Sequence, residues 1–227
     1  MSARVNEPPT MDCARLPPFD RTDLDDVRRA FAAATPVPLQ QAWLAEPEAA
    51  FAPAVVRTGW RDDALLVFAE LTDEDVFTAA ADHNQRFWEL GDTFEIFLRP
   101  TEQDAYVEFH VAPNNLCLQL RFPDAGWLGR APKADAFVQA LMPAGAFASH
   151  AWIRVEAGEW CVLAEIPTAS VCERARIRTL AGDEWRFSFS RYDGTRGREA
   201  PVISSTSPHA APSFHRQQEW GTIRFRP

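Results

Sequence analysis

The chain has 227 residues, 46% of them hydrophobic and 24% charged, with a formal net charge of -9 and a pI near 5.1. That length can bury a sizeable core as one β-sandwich domain or two small domains, and the composition is that of a globular chain, not a disordered one. The acidic balance argues against nucleic acid as a partner, because phosphate backbones call for clustered Lys and Arg, and no run of about 18 apolar residues marks a membrane span.

Residues 1–35 are expected as a lead-in segment packed on or flanking the domain, and 36–227 as the domain itself. The opening MSARVNEPPTMDCARLPP is polar and proline-bearing and lacks an apolar h-region, so a loose lead and a cytoplasmic setting are expected. Cys13, Cys117, Cys161 and Cys172 form no C-x-x-C pair and are expected as free buried thiols. Leu24, Val27 and Phe31 stand at helical spacing behind a Thr22/Asp23 cap and predict a short helix. LQQAWL then suggests an early strand that ends near Pro47. VVRTGW and ALLVFAEL flank Arg61-Asp62-Asp63 and predict a hairpin.

LTDEDVFTAAADHNQRFWELGD is long for a loop and leads into three short strands, Trp88 to Pro100, Ala105 to Pro113 and Leu116 to Phe122. Successive side chains of an extended chain point to opposite faces. Phe94, Ile96 and Leu98, then Val107, Phe109 and Val111, then Leu116, Leu118 and Leu120 are expected on the core face. The other face receives Thr93, Glu95 and Phe97, then Tyr106, Glu108 and His110, then Cys117, Gln119 and Arg121. Such a mixture is either solvated surface or a platform for a polar ligand.

Past Arg121, AFVQALM and SHAWIRVEA are candidate strands, GEWCVLAEIP is a clearer one, and ASVCERARI suggests a short helix. EWRFSFSRYDG alternates Trp185, Phe187 and Phe189 against Arg186, Ser188 and Ser190. Asp193 to Gln218 is expected as a long loop, and EWGTIRFRP as a closing strand. Many short strands with frequent turn signals specify an all-β fold, a single antiparallel β-sandwich of jelly-roll-like arrangement.

The ordered series of Trp88 with Asp92, Glu95 to Leu98, Tyr106 to Phe109, Gly158 to Pro167, Trp185 to Arg191 and Trp220 to Phe225 resembles the family 9 carbohydrate-binding modules over residues 36–227. It is also similar to the wider DOMON-like sandwich superfamily, whose members bind sugars or haem. The resemblance implies a non-catalytic sandwich that holds the end of a saccharide between two aromatic rings, with a carboxylate and a guanidinium on its hydroxyls. It assigns Trp88 as one ring and Glu95 as the carboxylate. Arg121 is the guanidinium candidate and Phe214, beside His215, the second ring, where a tryptophan would be usual. An altered sugar preference follows from that substitution.

The chemistry stands apart from the name. A pyranose offers apolar C–H faces to aromatic rings and hydroxyls to carboxylate and guanidinium groups. Glu108, His110 and Gln119 are secondary candidates for those hydroxyls. Each residue also has a plainer reading: Trp88 as a core anchor, Glu95 and Arg121 as a salt bridge, His110 as a hydrogen-bonded surface residue. Glu95 and Glu108 as a glycosidase pair would need a defined separation. Asp73 and Asp75 are calcium candidates, although a capped turn also accounts for them. Haem, the alternative ligand, would need axial groups, for which Met142 and His209 offer themselves. A Ser/His hydrolase lacks a G-x-S-x-G elbow, and no G-x-G-x-x-G or P-loop calls for a nucleotide.

Overall fold

The computed structural model describes residues 7–132, 135–173 and 180–227. Among them the strands are Thr10–Arg15 (β1), Val37–Pro38 (β2), Ala54–Arg61 (β3), Ala64–Thr72 (β4), Thr93–Pro100 (β5), Tyr106–Val111 (β6), Cys117–Phe122 (β7), Ala148–Arg154 (β8), Glu159–Pro167 (β9), Glu184–Asp193 (β10), Val202–Ser205 (β11) and Gly221–Phe225 (β12). Short helices cover Leu24–Ala30 (α1), Trp127–Arg130 (α2) and Ala136–Ala140 (α3). No helix among the described residues is long and apolar enough to cross a membrane.

Two sheets face each other. One runs β7-β6-β5-β10-β12 and the other β3-β4-β9-β8, all neighbours within each being antiparallel. The β3–β4 hairpin turns at Asp62, whose φ of 56° suits a residue type that tolerates the left-handed region. Between the sheets lies the main core: Phe94, Ile96, Leu98, Val107, Phe109, Trp185, Phe187 and Phe189 from one, and Leu65, Val67, Trp160, Val162 and Ile166 from the other. The all-β sandwich expected from the strand pattern is what the chain forms.

The opening segment is not a loose lead. Thr10–Cys13 of β1 pairs in parallel with β12, and Ala14–Arg15 pairs in parallel with β3, so one strand laces the two sheets together. Met11 and Cys13 enter the main core. Gly221 of the closing strand lies where the chain passes: a Cβ there would come within 2.6 Å of the Pro9 carbonyl oxygen. Of the two placements expected for residues 1–35, β1 takes the packed one.

Other expectations meet mixed outcomes. The helix α1 forms as its cap predicts, with the Asp23 carboxylate accepting from the Asp25 and Asp26 amides. Val27 and Phe31 seal the outer face of the second sheet against Leu66, Phe68 and Leu163. All four cysteines are free and buried. LQQAWL supplies only a bridge from Gln40 to Ser205, beyond the two-residue β2. AFVQA is helix, not strand; it packs on the outer face of β7, where Ala140 is buried. ASVCERARI begins as a 3-10 turn at Thr168–Ser170 and then runs outside the described residues. The long late loop contains β11, paired to the end of β10.

Because β1 carries Met11 into the core between the sheets, Met11→Ala should cost about 2–5 kcal/mol. Thermal unfolding followed by circular dichroism should show a Tm lowered by roughly 4 °C or more. An unchanged Tm would mean that β1 is not woven into the sandwich.

Candidate functional site

The register of β5, β6 and β10 builds the site. Directly opposed residues of neighbouring strands share a face, so Glu95 opposite His110 and Ser190, with Phe97 opposite Glu108 and Ser188, bring one polar group to the outside of the first sheet. That outside is no open surface. A second apolar cluster of Phe87, Phe97, Tyr106, Leu118, Leu120, Phe122, Phe214 and Trp220 covers most of it, with Trp88 and Tyr192 packed at its margin.

The third strand sits in the opposite phase to the one expected. His110 opposes Leu118, Glu108 opposes Leu120, and Phe109 opposes Gln119. The β6–β7 turn over Ala112–Asn115, with Asn115 at φ 62°, sets that phase. Leu118 and Leu120 therefore join the second cluster, while Gln119 and Arg121 point to the other side of the sheet. The Arg121 guanidinium donates to the carbonyls of Ser170 (2.7 Å) and Val171 (3.3 Å). The Gln119 amide donates to Asn84 and accepts from the Ala146 amide. Neither residue meets Glu95, and the guanidinium role assigned to Arg121 is withdrawn.

What the fold does bring together is a buried array. Glu95, Glu108 and His110 each place an atom within 4.8 Å of the others, and all three are at most 4% exposed. His110 Nε2 bonds Glu108 Oε1 directly, and His110 Nδ1 lies 3.4 Å from Glu95 Oε1 without a hydrogen bond. His215 Nε2 approaches Glu108 Oε2 at 3.6 Å, and its Nδ1 bonds the Tyr106 hydroxyl at 2.9 Å. Glu108 Oε2 remains buried without a hydrogen-bond partner. Polar atoms in that condition are rare in folded proteins.

A hollow of about 220 Å3 opens above this array. Trp88, Phe97, Tyr192 and Phe214 supply its aromatic lining; Glu95, Glu108, His215, Ser213 and Pro212 complete it. Trp88 rides on a 3-10 turn whose Phe87 is fully buried, and its ring centroid lies 5.5 Å from His110 and 6.1 Å from Phe137. Phe214 is 4% exposed and packs on Phe97, Tyr192, Trp43 and His209. Tyr192 went unmarked in the sequence, although continuing the β10 alternation past Ser190 reaches it.

Two carboxylates hold the walls. Asp92 accepts from the Phe77 amide (2.7 Å) and the Gly194 amide (2.8 Å), tying the entrance of β5 to the chain beyond β10. Glu219 accepts from His209 Nδ1, from the Ala210 amide and from both Nε and Nη2 of Arg216, and so fixes the loop that carries Phe214 and His215. The Arg216 bonds, opposed by slight burial and aided by His209, bring its carboxyl down to about 2. His209 Nε2 also bonds Ser188 Oγ at 3.3 Å. That Ser-His-Glu order matches an acyl-transfer triad, but Ser188 and His209 are fully buried, so it works as a pin. With both ring nitrogens bonded, His209 has no free lone pair for a haem iron.

Asp73 and Asp75 each carry an arginine. Asp73 pairs with Arg191 at 2.8 Å, and Asp75 pairs with Arg196. Asp73, Asp92 and Asp193 lie close enough to share an ion, yet the Arg191 guanidinium reaches Asp73 and also Asp193, at 3.2 Å. A calcium ion there would have to displace that cation.

Burial drives the Glu95 carboxyl up to about 8, against the pull of the His110 charge and with the push of Glu108. At Glu108 burial also pushes upward, but the electrostatic pull of His110 and His215 and the His110 hydrogen bond together outweigh it and hold the carboxyl below its ordinary range. Burial pulls His110 down, and the two carboxylates, pulling up, win. Burial leaves His215 below its ordinary value, with Glu108 opposing and His110 assisting. Near neutral pH the array thus combines a Glu108 carboxylate, a His110 imidazolium, a largely protonated Glu95 and a neutral His215.

No family model and no curated protein match the sequence. Solved structures do match. A candidate carbohydrate-binding protein from Bacteroides uniformis superposes with a TM-score of 0.72 at 18% identity, over 96% of this chain and 99% of that one. A family 9 carbohydrate-binding module from Caldicellulosiruptor kristjanssonii in complex with cellotriose gives 0.63 at 16% identity, over 96% and 94%. A module of that family from the same organism, in complex with glucose, gives 0.59 at 16% identity, over 97% and 96%. The fold implied by the strand series is therefore shared with the family 9 modules.

The raised carboxyls fix the sign of a pH effect. Glu95 titrates near 4.5 when exposed and near 8 when folded, so between those values the folded chain holds the extra proton and stability falls as pH rises. Asp92, raised to about 7, and Asp193, raised to about 6, chiefly by burial, act in the same direction. Wild-type Tm should be lower at pH 8 than at pH 5, and Glu95→Gln should narrow that difference. An equal difference in the variant would refute the assignment of a buried, protonated Glu95.

Proposed function

We propose that the protein is a non-catalytic saccharide-binding module whose site is the hollow over β5, β6 and β10. The observation that carries this reading is the unpartnered Glu108 Oε2, a buried acceptor beside four aromatic rings at the base of an open hollow. A hydroxyl of a pyranose would satisfy it while the ring's C–H faces lie against the indole and phenyl groups. The size supports a single sugar ring: about 220 Å3 falls below the roughly 300–1,000 Å3 of sites for drug-sized ligands. The shared fold with modules that hold cellotriose and glucose agrees with it.

Hydrolysis fits less well. A glycosidase sets its two carboxyls on either side of the scissile bond, about 5–5.5 Å apart for retention and 6.5–9.5 Å for inversion. Here Glu95 and Glu108 stand on adjacent strands with the His110 ring between them, in the place a bond would have to occupy.

Titration calorimetry with glucose and cellotriose tests the proposal. Binding should appear at millimolar concentration or tighter, where a site of about -4 kcal/mol begins to register. Trp88→Ala should weaken it about tenfold, whereas Arg121→Met, on the opposite side of the sheet, should leave the affinity within about twofold. Loss of binding in Arg121→Met with its fold intact, or retention in Trp88→Ala, would move the site elsewhere.

A further inference from the structure

We infer that the hollow prefers a saccharide bearing a protonated amino group over neutral or acidic sugars, a preference that rests on the reading of this hollow as a saccharide site. Among the described residues its lining combines two carboxyl groups, four aromatic rings and an imidazole, and no lysine or arginine. The nearby arginines are committed elsewhere. Arg216 is clamped to Glu219, Arg86 pairs with Glu89 over the Phe137 ring, and Arg121 lies on the other side of the sheet.

The one cation of the array is turned inward. His110 is fully buried and contributes nothing to the lining, so its charge serves Glu108 and Glu95 rather than the ligand. His215 keeps Nδ1 on the Tyr106 hydroxyl and stays neutral. A ligand in the hollow therefore lies against the Glu108 carboxylate, whose buried Oε2 accepts no hydrogen bond, and against the rings of Trp88, Phe97, Tyr192 and Phe214.

A carboxylate whose one cation, His110, sits behind it and outside the lining, together with aromatic rings, makes a surface that attracts ammonium groups, through a charge-assisted hydrogen bond and through the ring quadrupoles. A neutral hydroxyl satisfies Glu108 Oε2 but draws nothing from the rings' negative faces. A uronic acid would set a second carboxylate against Glu108 with no lysine or arginine among the described lining residues to receive it, and with the His215 imidazole already bonded to Tyr106 through Nδ1. The arrangement thus ranks ligands by charge: aminated above neutral, neutral above acidic.

Titration calorimetry of the full chain at pH 6.5 with glucosamine, glucose, N-acetylglucosamine and glucuronate reads that ranking. Glucosamine should bind about tenfold tighter than glucose; N-acetylglucosamine, its amine capped and uncharged, should lose that gain, and glucuronate should bind most weakly. Glu108→Gln should bring glucosamine down to the level of glucose; the wild-type comparison decides the matter even where that variant fails to fold. Glucose binding as tightly as glucosamine, or glucuronate binding as tightly as glucose, would overturn the inference while leaving a saccharide site in place. Absence of binding by all four sugars would overturn both.

Discussion

A carboxylate taken out of water costs several kcal/mol unless it finds a partner, and this sandwich takes two carboxyl groups beneath an apolar cover, one held as the carboxylate and the other pushed toward its protonated form. Glu95 and Glu108 sit on neighbouring strands where the apolar cover leaves them almost no exposure except toward the hollow. His110, opposite the first and two residues from the second, is the group that makes their burial tolerable. Remove the imidazole and two acids face each other in an apolar cluster. The array is therefore fixed in place by its own electrostatics, and a fixed acceptor loses little freedom when a ligand arrives.

The covering walls depend on the same principle of carboxylates spent on local donors. Asp92 locks the entrance of β5 by two backbone amides, and Glu219 locks the late loop by a guanidinium, an imidazole and an amide. Loops held this way by a rigid sheet can carry recognition groups without wandering. Trp88 and Phe214 reach one hollow from segments more than a hundred residues apart in sequence because each segment is pinned to the same pair of strands.

Much of this architecture was legible in the sequence. The alternation in TFEIFLRP, YVEFHV and EWRFSFSRYD fixed which residues of β5, β6 and β10 share a face, and with that the meeting of Glu95, Glu108 and His110. The phase of β7 was not legible, because CLQLRF alternates apolar and polar residues over two buried faces, and only the length of the preceding turn decides which faces which. That single step separates Arg121 from the site. The role of TMDCAR was hidden for a different reason: a parallel strand pairs with partners far along the chain and leaves no hairpin signal. Tyr192 and the His215–Tyr106 bond required the folded late loop, which has no periodicity to read.

The same outer face could have been an ordinary solvated surface, and the difference lies in what surrounds the acids. On an exposed sheet face Glu95 and Glu108 would shed their field into water, and neither would discriminate among ligands. Enclosed by Phe97, Phe214, Tyr192 and Trp88, with a single imidazolium beneath, the acceptor keeps both its charge and its direction. The aromatic cover does two jobs at once: it supplies the low-polarity surroundings of the buried acceptor, and it supplies the faces against which the proposed ring-shaped ligand would lie.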